Sequence, residues 1–261
     1  MKVNFLFMQK FHTEYDTHYI IHLNYIANTM TQLPWLDPNI IAFPDTNQAL
    51  VSPNGLLAAG GELTPKWLLK AYSQGIFPWF SEGEPILWWS PSPRTIIDID
   101  QLHISKSLKK ALKKKNYSIS FDKAFREVVD NCAQPRQDQE DVGTWITPEI
   151  LDAYHLLHKQ GYAHSVEVWN GDNLVGGVYG VALGKVFFGE SMFSHQTNSS
   201  KIALVHLVEQ LKEWHYVAID CQVHNNHLES LGATQVPRME FETLIKQQVT
   251  RTPCHWGAKQ K

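Results

Sequence analysis

Two acidic side chains stand in otherwise apolar segments of the C-terminal half of the chain. Glu190 lies within VFFGESMF and Asp220 within AIDCQV. A buried carboxylate must be ion-paired, hydrogen-bonded or facing a cleft, because its removal from water is costly. For either residue alone, pairing with backbone groups or with an arginine is an equally good explanation. Together, on two strands that flank one cleft, they indicate a site for a cationic or amine-bearing substrate.

The surrounding segments predict the elements that position these side chains. SVEVWNGDNLVGGVYGVALGKVFFGESMF is typical of two tight hairpins, SSKIALVHLVEQLKEW of a helix, and AIDCQV of a further strand. Three antiparallel strands, a crossover helix and another strand surround the cleft of the N-acetyltransferase superfold. Gln222 follows Asp220 by two residues, so a continuous strand would put both side chains on one face.

The segment between the third strand and the helix bears on the acyl donor. In that superfold a nucleotide-type donor normally binds there, through a glycine-rich loop whose backbone N–H groups contact a pyrophosphate. Residues 194–200 of this chain contain no glycine. The sequence therefore disfavours acetyl-CoA as the donor and favours an acyl group on another carrier.

The domain organisation follows from a change in composition along the chain. Residues 33–93 are dense in Pro, Gly and Trp, with one helix from about residue 65 to residue 73, capped by Thr64 and terminated by Gly75. We predict an α+β (mixed α/β) protein. A small, loop-rich N-terminal domain spans residues 31–93, and residues 94–261 form an N-acetyltransferase-like domain with a mostly antiparallel sheet.

A run of lysines predicts a basic helix face within residues 103–115. Leu108 and Leu112 turn elsewhere, and the lysines at helical spacing are Lys106, Lys109, Lys110, Lys113 and Lys114. A solvated face is the ordinary explanation of such a run. A contact with nucleic-acid phosphates is favoured here because the chain as a whole carries a net charge of −3, which makes this stripe a local exception. A membrane-surface helix is disfavoured because its apolar side is too thin.

Two further helices and the histidine spacing complete the pattern. One helix is expected from an N-cap at Asp122, and another from an N-cap at Thr147 to Gly161, with Trp145 on the preceding loop.

The histidine pairs 155/158 and 224/227 lack the Glu or Cys partners of a zinc site, so we expect no metal.

Composition suggests a cytoplasmic location. No segment is apolar enough to cross a bilayer, and the N-terminus lacks the pattern of an export signal. Cys132, Cys221 and Cys254 are scattered, which fits a reducing compartment better than a disulfide framework.

Residues 1–30 are expected to be an extension of the compact protein. They show no helical or alternating period, and they end at an internal methionine, Met30. The segment is either a short accessory region or an upstream stretch from a start codon placed too early. The second interpretation is favoured, because TQLPWLDPNIIAFPD already opens like a compact domain.

Several motifs closely resemble the bacterial leucyl/phenylalanyl-tRNA–protein transferase family. They are PNGLLAAGGELTPKWLLKAYSQGIFPWF, PILWWSPSPR, GTWITPEILDAYHLLHKQGYAHSVEVW, LVGGVYGVALGKVFFGESMF and IDCQVHNNHLESLGA. The resemblance runs from about residue 41 to residue 238. Residues 1–30 and the tail after residue 249 lie outside it.

The resemblance implies an activity and its partners. Members transfer Leu or Phe, and Met less well, from aminoacyl-tRNA to the N-terminal Arg or Lys of a protein, which marks that protein for degradation. No CoA, metal or ATP is required, so no cofactor is expected. The five lysines match the family's basic tRNA-contact helix. Trp79 and Trp145 match aromatics around the terminal adenosine and the donor side chain, where stacking contributes roughly 1–3 kcal/mol per base, and Tyr72 lies near this group.

The donor pocket departs from the family pattern. Val178 stands where many members have Met, and Leu207 to Leu211 occupy a helix where some members carry Phe. The pocket stays apolar while its shape changes. One methylene alters discrimination by only about 1–3 kcal/mol, so the sequence does not determine the preference among Leu, Phe and Met.

The resemblance also suggests a mechanism. Glu190 would bind the cationic acceptor residue, while Asp220 and Gln222 would orient the attacking amine and help to deprotonate it. Backbone N–H groups would stabilise the tetrahedral oxyanion. Gln222 is not an effective base, and proton transfer through the tRNA ribose hydroxyl is an alternative.

Two rival functions remain open from the residues alone. A CoA-dependent N-acetyltransferase is opposed by the glycine-free segment. A tRNA-binding module without catalysis would keep the lysines but has no need of Glu190 and Asp220 on apolar strands.

Overall fold

The computed structural model describes residues 33–114, 116–134, 145–251 and 256. The strands are β1 Trp35–Leu36, β2 Leu56–Gly60, β3 Phe77–Pro78, β4 Leu87–Trp89, β5 Arg94–Asp98, β6 Ser118–Phe121, β7 Ala163–Asn170, β8 Asn173–Leu183, β9 Val186–Ser194, β10 Ala218–Asp220 and β11 Thr234–Val236. The helices are α1 Pro65–Tyr72, α2 Lys106–Leu112, α3 Phe125–Ala133, α4 Pro148–Lys159, α5 Ser199–Glu213, α6 Asn226–Glu229 and α7 Arg238–Gln248. A 3-10 turn spans Thr46–Gln48.

The first part of the chain forms a four-stranded sheet in the order β1-β2-β4-β3. Helix α1 packs on it through Trp67, whose ring stacks on Trp88, and Phe43 meets both rings edge-on. Proline at the first position of α1 and Gly75 at φ 74° beyond its end match the sequence prediction. Large aromatic side chains provide the core that so short a sheet needs.

The rest of the chain forms a seven-stranded sheet in the order β11-β5-β10-β9-β8-β7-β6. Strands β7, β8 and β9 form two antiparallel hairpins, and α5 then crosses back to β10, which pairs parallel to β9. All other neighbours in this sheet are antiparallel. The predicted fold class, mixed α/β with a mostly antiparallel C-terminal sheet, is confirmed.

A bulge in β9 sets the direction of Glu190. Tyr179 pairs with Ser191 and Gly180 with Gly189, so Glu190 is the extra residue between them. A Cβ on Gly180 would overlap the carbonyl oxygen of Phe188, so glycine is required there for the strands to approach. The bulge shifts the alternation of side chains by one residue and directs Glu190 towards α1 and α4.

Two predicted elements differ in the structure. Helix α3 begins at Phe125, and Asp122 is not its N-cap but lies at φ 58° with its carboxylate accepting from Ser165 N at 2.9 Å. The buried Glu167 of β7 instead accepts the backbone N–H groups of Lys123 and Ala124 just ahead of α3. The loop between β9 and α5 spans only residues 195–198, because Ser199 and Ser200 already belong to α5.

The two sheets are joined by polar contacts as well as by the shared core. Thr46 hydrogen-bonds Glu242 of α7, and Arg238 donates to the carbonyl of Thr46. The predicted boundary at residue 93 stays a prediction, although the first strand of the larger sheet does start at Arg94. Within the described ranges, no helix combines the length and apolarity that crossing a bilayer requires. Residues 1–30 and Cys254 lie outside the described residues.

Candidate active site

Glu190 lies in a closed ring of hydrogen bonds with two buried tyrosines. Tyr72 of α1 lies 2.7 Å from Oε1, and Tyr154 of α4 lies 2.8 Å from Oε2. The two hydroxyls also hydrogen-bond each other. Three such bonds need three protons, and two tyrosines supply only two. The ring is complete when Glu190 is protonated and is one bond short when Glu190 ionises.

The environment of Glu190 places its ionisation near neutrality. Only 6% of the side chain is exposed. Burial raises the pKa of Glu190 to about 7, while the two tyrosine hydroxyls act in the opposite direction. Burial and the nearby Glu190 charge also raise the pKa values of Tyr72 and Tyr154, so both phenols remain neutral donors. A carboxyl group of this kind can exchange a proton with an amine at neutral pH.

Asp220 is ion-paired, which is one of the two explanations the sequence leaves open for it. Arg94 Nε donates to Oδ1 at 2.8 Å and Nη2 donates to Oδ2 at 2.6 Å, and both side chains are buried. Asp220 therefore adds no unpaired negative charge to the site. Of the two acidic residues singled out in the sequence, Glu190 alone has no cationic side chain hydrogen-bonded to it in the described structure.

Gln222 does not lie on a strand, and the prediction that it continues the face of Asp220 is wrong. Strand β10 ends at Asp220, and Gln222 adopts φ 54°. Its backbone N–H donates to Asp220 Oδ1 at 3.0 Å. The side chain is buried, and its Nε2 has no hydrogen-bond partner among the described residues. An unsatisfied buried amide of this kind is available to a ligand.

The strands around these residues separate where β10 ends. Asp220 pairs with Phe188 of β9, and no residue beyond Asp220 continues β10. Strand β9 runs on through Glu190 to Ser194. Glu190 on β9 and Gln222 after β10 both follow the last residue pair of the two strands, and we call the point where this pairing ends the gap. Asp220 contributes to the electrostatic environment of Glu190.

The predicted aromatic residues are close in sequence to residues that line a cleft. Trp79 packs on Trp89 at 5.2 Å between ring centroids, and Trp145 lies just ahead of α4, as predicted. A cleft of about 560 Å³ is lined by Phe80, which follows Trp79, and by Thr147, two residues after Trp145. Both tryptophans are half-buried. Their partly exposed rings are compatible with stacking on a flat ligand.

The predicted donor-pocket residues belong to the face of the sheet that α5 covers. Val178 pairs with Met192 across β8 and β9, and Leu207 and Leu211 project from α5. All four side chains are buried in the hydrophobic core. A donor side chain can reach them only if it enters between the strands and these side chains move. Met192, which pattern reasoning did not single out, has the flexible thioether suited to such movement.

The lysine helix is shorter than predicted but keeps its exposed face. Helix α2 covers only Lys106–Leu112, and the last two predicted lysines follow it, one as the C-cap. Leu108 is buried, and the exposed lysines are Lys106, Lys109, Lys110, Lys113 and Lys114. The structure thus shows five exposed lysines on and just after a helix that packs next to α5.

One histidine cluster was not anticipated. A ligand atom from each of Asp122, His158 and His164 lies within 4.8 Å of the others. His164 contacts Asp122 at 2.8 Å and the carbonyl of Gly161 at 3.1 Å, while His158 contacts the carbonyl of Ala163 at 2.8 Å. These groups are hydrogen-bonded to one another and to the backbone. The expectation of no metal stays a prediction.

Sequence reasoning missed Tyr154 and Arg94. Tyr154 has the spacing of an ordinary buried helix residue, and Arg94 follows a proline-rich connector. Only the pairing of distant elements brings them to Glu190 and Asp220. The buried position of the two acidic residues was the one available signal that such partners exist.

Comparison with known proteins identifies relatives along most of the chain. The family profile described as leucyl/phenylalanyl-tRNA protein transferase matches residues 96–246, and the profile of its N-terminal domain matches residues 61–92. The protein named leucyl/phenylalanyl-tRNA–protein transferase from Cellvibrio japonicus is 51% identical over 227 residues, covering 86% of this chain and 96% of its own length. The protein of that name from Nitrosomonas europaea is 57% identical over 205 residues, covering 78% of this chain and 86% of its own.

A solved structure gives only a weak likeness. L-PGS from Bacillus licheniformis aligns over 72% of this chain and 71% of its own with a TM-score of 0.39 and 12% identity, which carries no conclusion. The sequence relatives are decisive, because they match both parts of the chain at high identity. The chain belongs to the leucyl/phenylalanyl-tRNA–protein transferase family.

Proposed function

We propose that this protein transfers Leu or Phe, and Met less well, from aminoacyl-tRNA to the N-terminal Arg or Lys of acceptor proteins and so marks them for degradation. Membership of the family makes the chain an aminoacyltransferase that acts with tRNA. The identity of the amino acids and of the acceptor residue is the proposed part. The proposal includes a cytoplasmic location, where charged tRNA is found.

The observation that supports this function best is the buried carboxyl group of Glu190 beside the gap between β9 and β10. Its pKa of about 7 lies close to the pKa of about 7.7–8.0 expected for an N-terminal amine. A cationic acceptor that enters the gap can ionise Glu190 and pair with it. A neutral or acidic N-terminal residue would gain nothing from that charge.

The chemistry asks little of the protein because the aminoacyl ester is already activated. Holding the amine against the ester can contribute roughly 7–11 kcal/mol through orientation. In this proposal Glu190 binds the acceptor cation. Gln222 orients the amine through its side-chain carbonyl oxygen, which accepts from the amine N–H, while its unpaired Nε2 stays available as a donor. Asp220 acts on the amine only through Gln222, whose backbone it holds. Deprotonation through the ribose hydroxyl of the tRNA is compatible with the same arrangement.

The remaining predicted residues are assigned to the tRNA. The exposed surface formed by Lys106, Lys109, Lys110, Lys113 and Lys114 would bind backbone phosphates of the stem. Trp79 and Trp145 would stack on the terminal adenosine, with Tyr72 nearby. Val178, Leu207 and Leu211 would receive the donor side chain after the gap opens. No cofactor takes part in these steps.

The geometry at the start of α5 opposes acetyl-CoA as the donor. Ser199 Oγ donates to the carbonyl of Val175 at 2.6 Å, and Ser194 Oγ donates to the carbonyl of Gln196 at 2.7 Å. A Cβ on Gly176 would overlap Ser199, so the helix start lies directly on β8. Serine side chains thus lie at the start of this helix, where a pyrophosphate-binding loop would present bare glycine backbone.

A direct assay tests the proposal. The purified chain is incubated with radiolabelled Leu-tRNA and a peptide beginning with Arg, and in parallel with the same peptide beginning with Met. We expect label in the Arg peptide and background in the Met peptide. Equal labelling of both would refute the acceptor specificity. Acetylation of the Arg peptide by acetyl-CoA, without labelling from Leu-tRNA, would instead support the N-acetyltransferase alternative.

A further inference from the structure

Arg94 is a completely enclosed cation beside the proposed acceptor site. Only 1% of it is exposed. Two of its nitrogens donate to Asp220, and the third, Nη1, donates to the carbonyl of Gly75 at 3.0 Å. The rings of Phe77 and Phe241 cover the guanidinium at 4.8 and 4.7 Å. The guanidinium is therefore held by three hydrogen bonds and two ring contacts.

The contacts of Arg94 come from three separate parts of the chain. Gly75 and Phe77 belong to the smaller sheet region, Asp220 to β10 and Phe241 to α7. Gly75 adopts φ 74°, and a Cβ there would meet Phe241 and Ile245 at 3.3 Å. The carbonyl that fixes Nη1 is thus itself held by tight packing. Arg94 consequently has one position relative to both sheets.

The carboxylate oxygens of Asp220 accept hydrogen bonds that hold neighbouring groups in place. Oδ1 accepts from Arg94 Nε and from the backbone N–H of Gln222, and Oδ2 accepts from Arg94 Nη2. A bidentate, fully buried pair of this kind has a fixed geometry. A carboxylate held in this way is poorly placed to pass protons, but well placed to hold a backbone turn.

We propose that Arg94 is a positioning residue for aminoacyl transfer, which fixes Asp220 so that Asp220 holds Gln222 at φ 54° with its side-chain amide at the gap. The left-handed backbone at Gln222 is unfavourable for a residue with a Cβ, so it needs such a restraint. The two oxygens of Asp220 provide it. This inference rests on the proposed function, because it assumes that Gln222 orients the acceptor amine.

Two variants test the proposal in the full-length protein. Arg94→Lys keeps the charge but removes the bidentate geometry. The double variant Arg94→Met with Asp220→Asn removes both charges, so no unpaired buried charge remains, and the Asn oxygen can still accept from Gln222. Arg126→Lys is the control, because Arg126 is an exposed arginine on α3. Circular dichroism and Leu-tRNA binding establish that each variant is folded.

The readout is the single-turnover rate with saturating Leu-tRNA and Arg-initiated peptide, measured across pH. We expect both site variants to be about 100-fold slower, with Leu-tRNA affinity within about two-fold of wild type and the pH dependence near 7 unchanged in the double variant. The pH dependence persists because the double variant keeps Glu190, whose pKa is about 7. The control should match the wild type.

Other results would overturn the inference. A wild-type rate in the double variant would show that Arg94 and Asp220 stabilise the fold but do not position Gln222 for the reaction. Loss of the pH dependence near 7 in that variant would make Asp220 a proton carrier. If Gln222→Ala is fully active while Arg94→Lys is slow, Arg94 acts by another route although the proposed function stands. If the wild type does not extend an Arg peptide, the proposed function fails, and this inference fails with it.

Discussion

At the scale of single residues, the proposed chemistry depends on one carboxyl group, Glu190, that can be neutral or charged near neutral pH. The ring of Glu190, Tyr72 and Tyr154 is complete with three protons and is one bond short with two. Burial raises the pKa of Glu190 to about 7, so its protonated and ionised forms are both present near neutral pH. An acceptor cation would therefore bind with release of a proton, and binding should strengthen as pH rises through this range.

Replacement of Glu190 by Gln tests the role of this ionisation. The amide can donate and accept within the same ring, but it cannot ionise. We expect kcat/KM for an Arg-initiated peptide to fall about 10- to 100-fold, as when a hydrogen bond to a charged group is removed. The rise in rate near pH 7 should vanish and leave only the contribution of the acceptor amine, with a pKa of about 7.7–8.0. Glu240→Gln, which changes an exposed residue of α7, is the control. An unaltered pH–rate profile in Glu190→Gln would exclude Glu190 as the titrating group.

At the scale of elements, the bulge in β9 sets the direction of the Glu190 side chain. The bulge depends on Gly180 in the opposite strand, β8. Gly180→Ala would force a Cβ into the carbonyl of Phe188, whereas a Cβ on Gly189 would make only ordinary contacts, at 3.4 Å to Ile219 and 3.6 Å to the carbonyl of Asp220. We expect Gly180→Ala to lower the free energy of unfolding by more than about 2 kcal/mol. Gly189→Ala should stay within about 1 kcal/mol. Urea denaturation measures both, and equal stability of the two variants would show that the bulge does not need Gly180.

A second prediction at this scale concerns the lysine surface beside α5. Replacement of Lys109, Lys110 and Lys113 by Ala removes three exposed charges and leaves the buried Leu108 in place. We expect weaker aminoacyl-tRNA binding and a salt dependence reduced by about one unit of slope for each phosphate that is no longer neutralised. The change in slope is measured from affinities over a series of salt concentrations. The control replaces Lys159 and Lys246, which are exposed on α4 and α7, by Ala. An unchanged slope in the triple variant would show that the lysine surface is only solvated and does not bind tRNA.

At the scale of the whole molecule, the ionisation of Glu190 also affects folding stability. The folded pKa of Glu190 lies at about 7, above the ordinary value of 4.5. The native state therefore keeps a proton that the unfolded chain has already released between these values, so stability falls as pH rises. We expect a decrease of roughly 3 kcal/mol in the free energy of unfolding from about pH 4.5 to pH 7. Glu190→Gln should lack this fall in stability with rising pH. Denaturation of both proteins at several pH values measures the difference. An identical pH dependence in the variant would contradict the assignment to Glu190.

The order of the elements along the chain could be predicted because it depends on local patterns. Alternating apolar residues and Gly-containing turns predict β7, β8 and β9, and Thr147 with Pro148 predicts the start of α4. Two predictions failed, one because a distant group replaced the local signal and one because a neighbouring side chain did. Asp122 turned to Ser165 instead of capping α3, and Gln222 left the strand because Asp220 binds its backbone.

The sequence alone determined the family motifs, the strands and crossover helix, the glycine-free loop and the two acidic residues that need partners. Only the tertiary structure decided what those partners are. Arg94 and Asp220 are 126 residues apart, and Tyr72, Tyr154 and Glu190 come from three different elements. Local propensity acts over a few residues, whereas the cost of burying a charge is met by whichever group the complete fold brings within hydrogen-bonding distance.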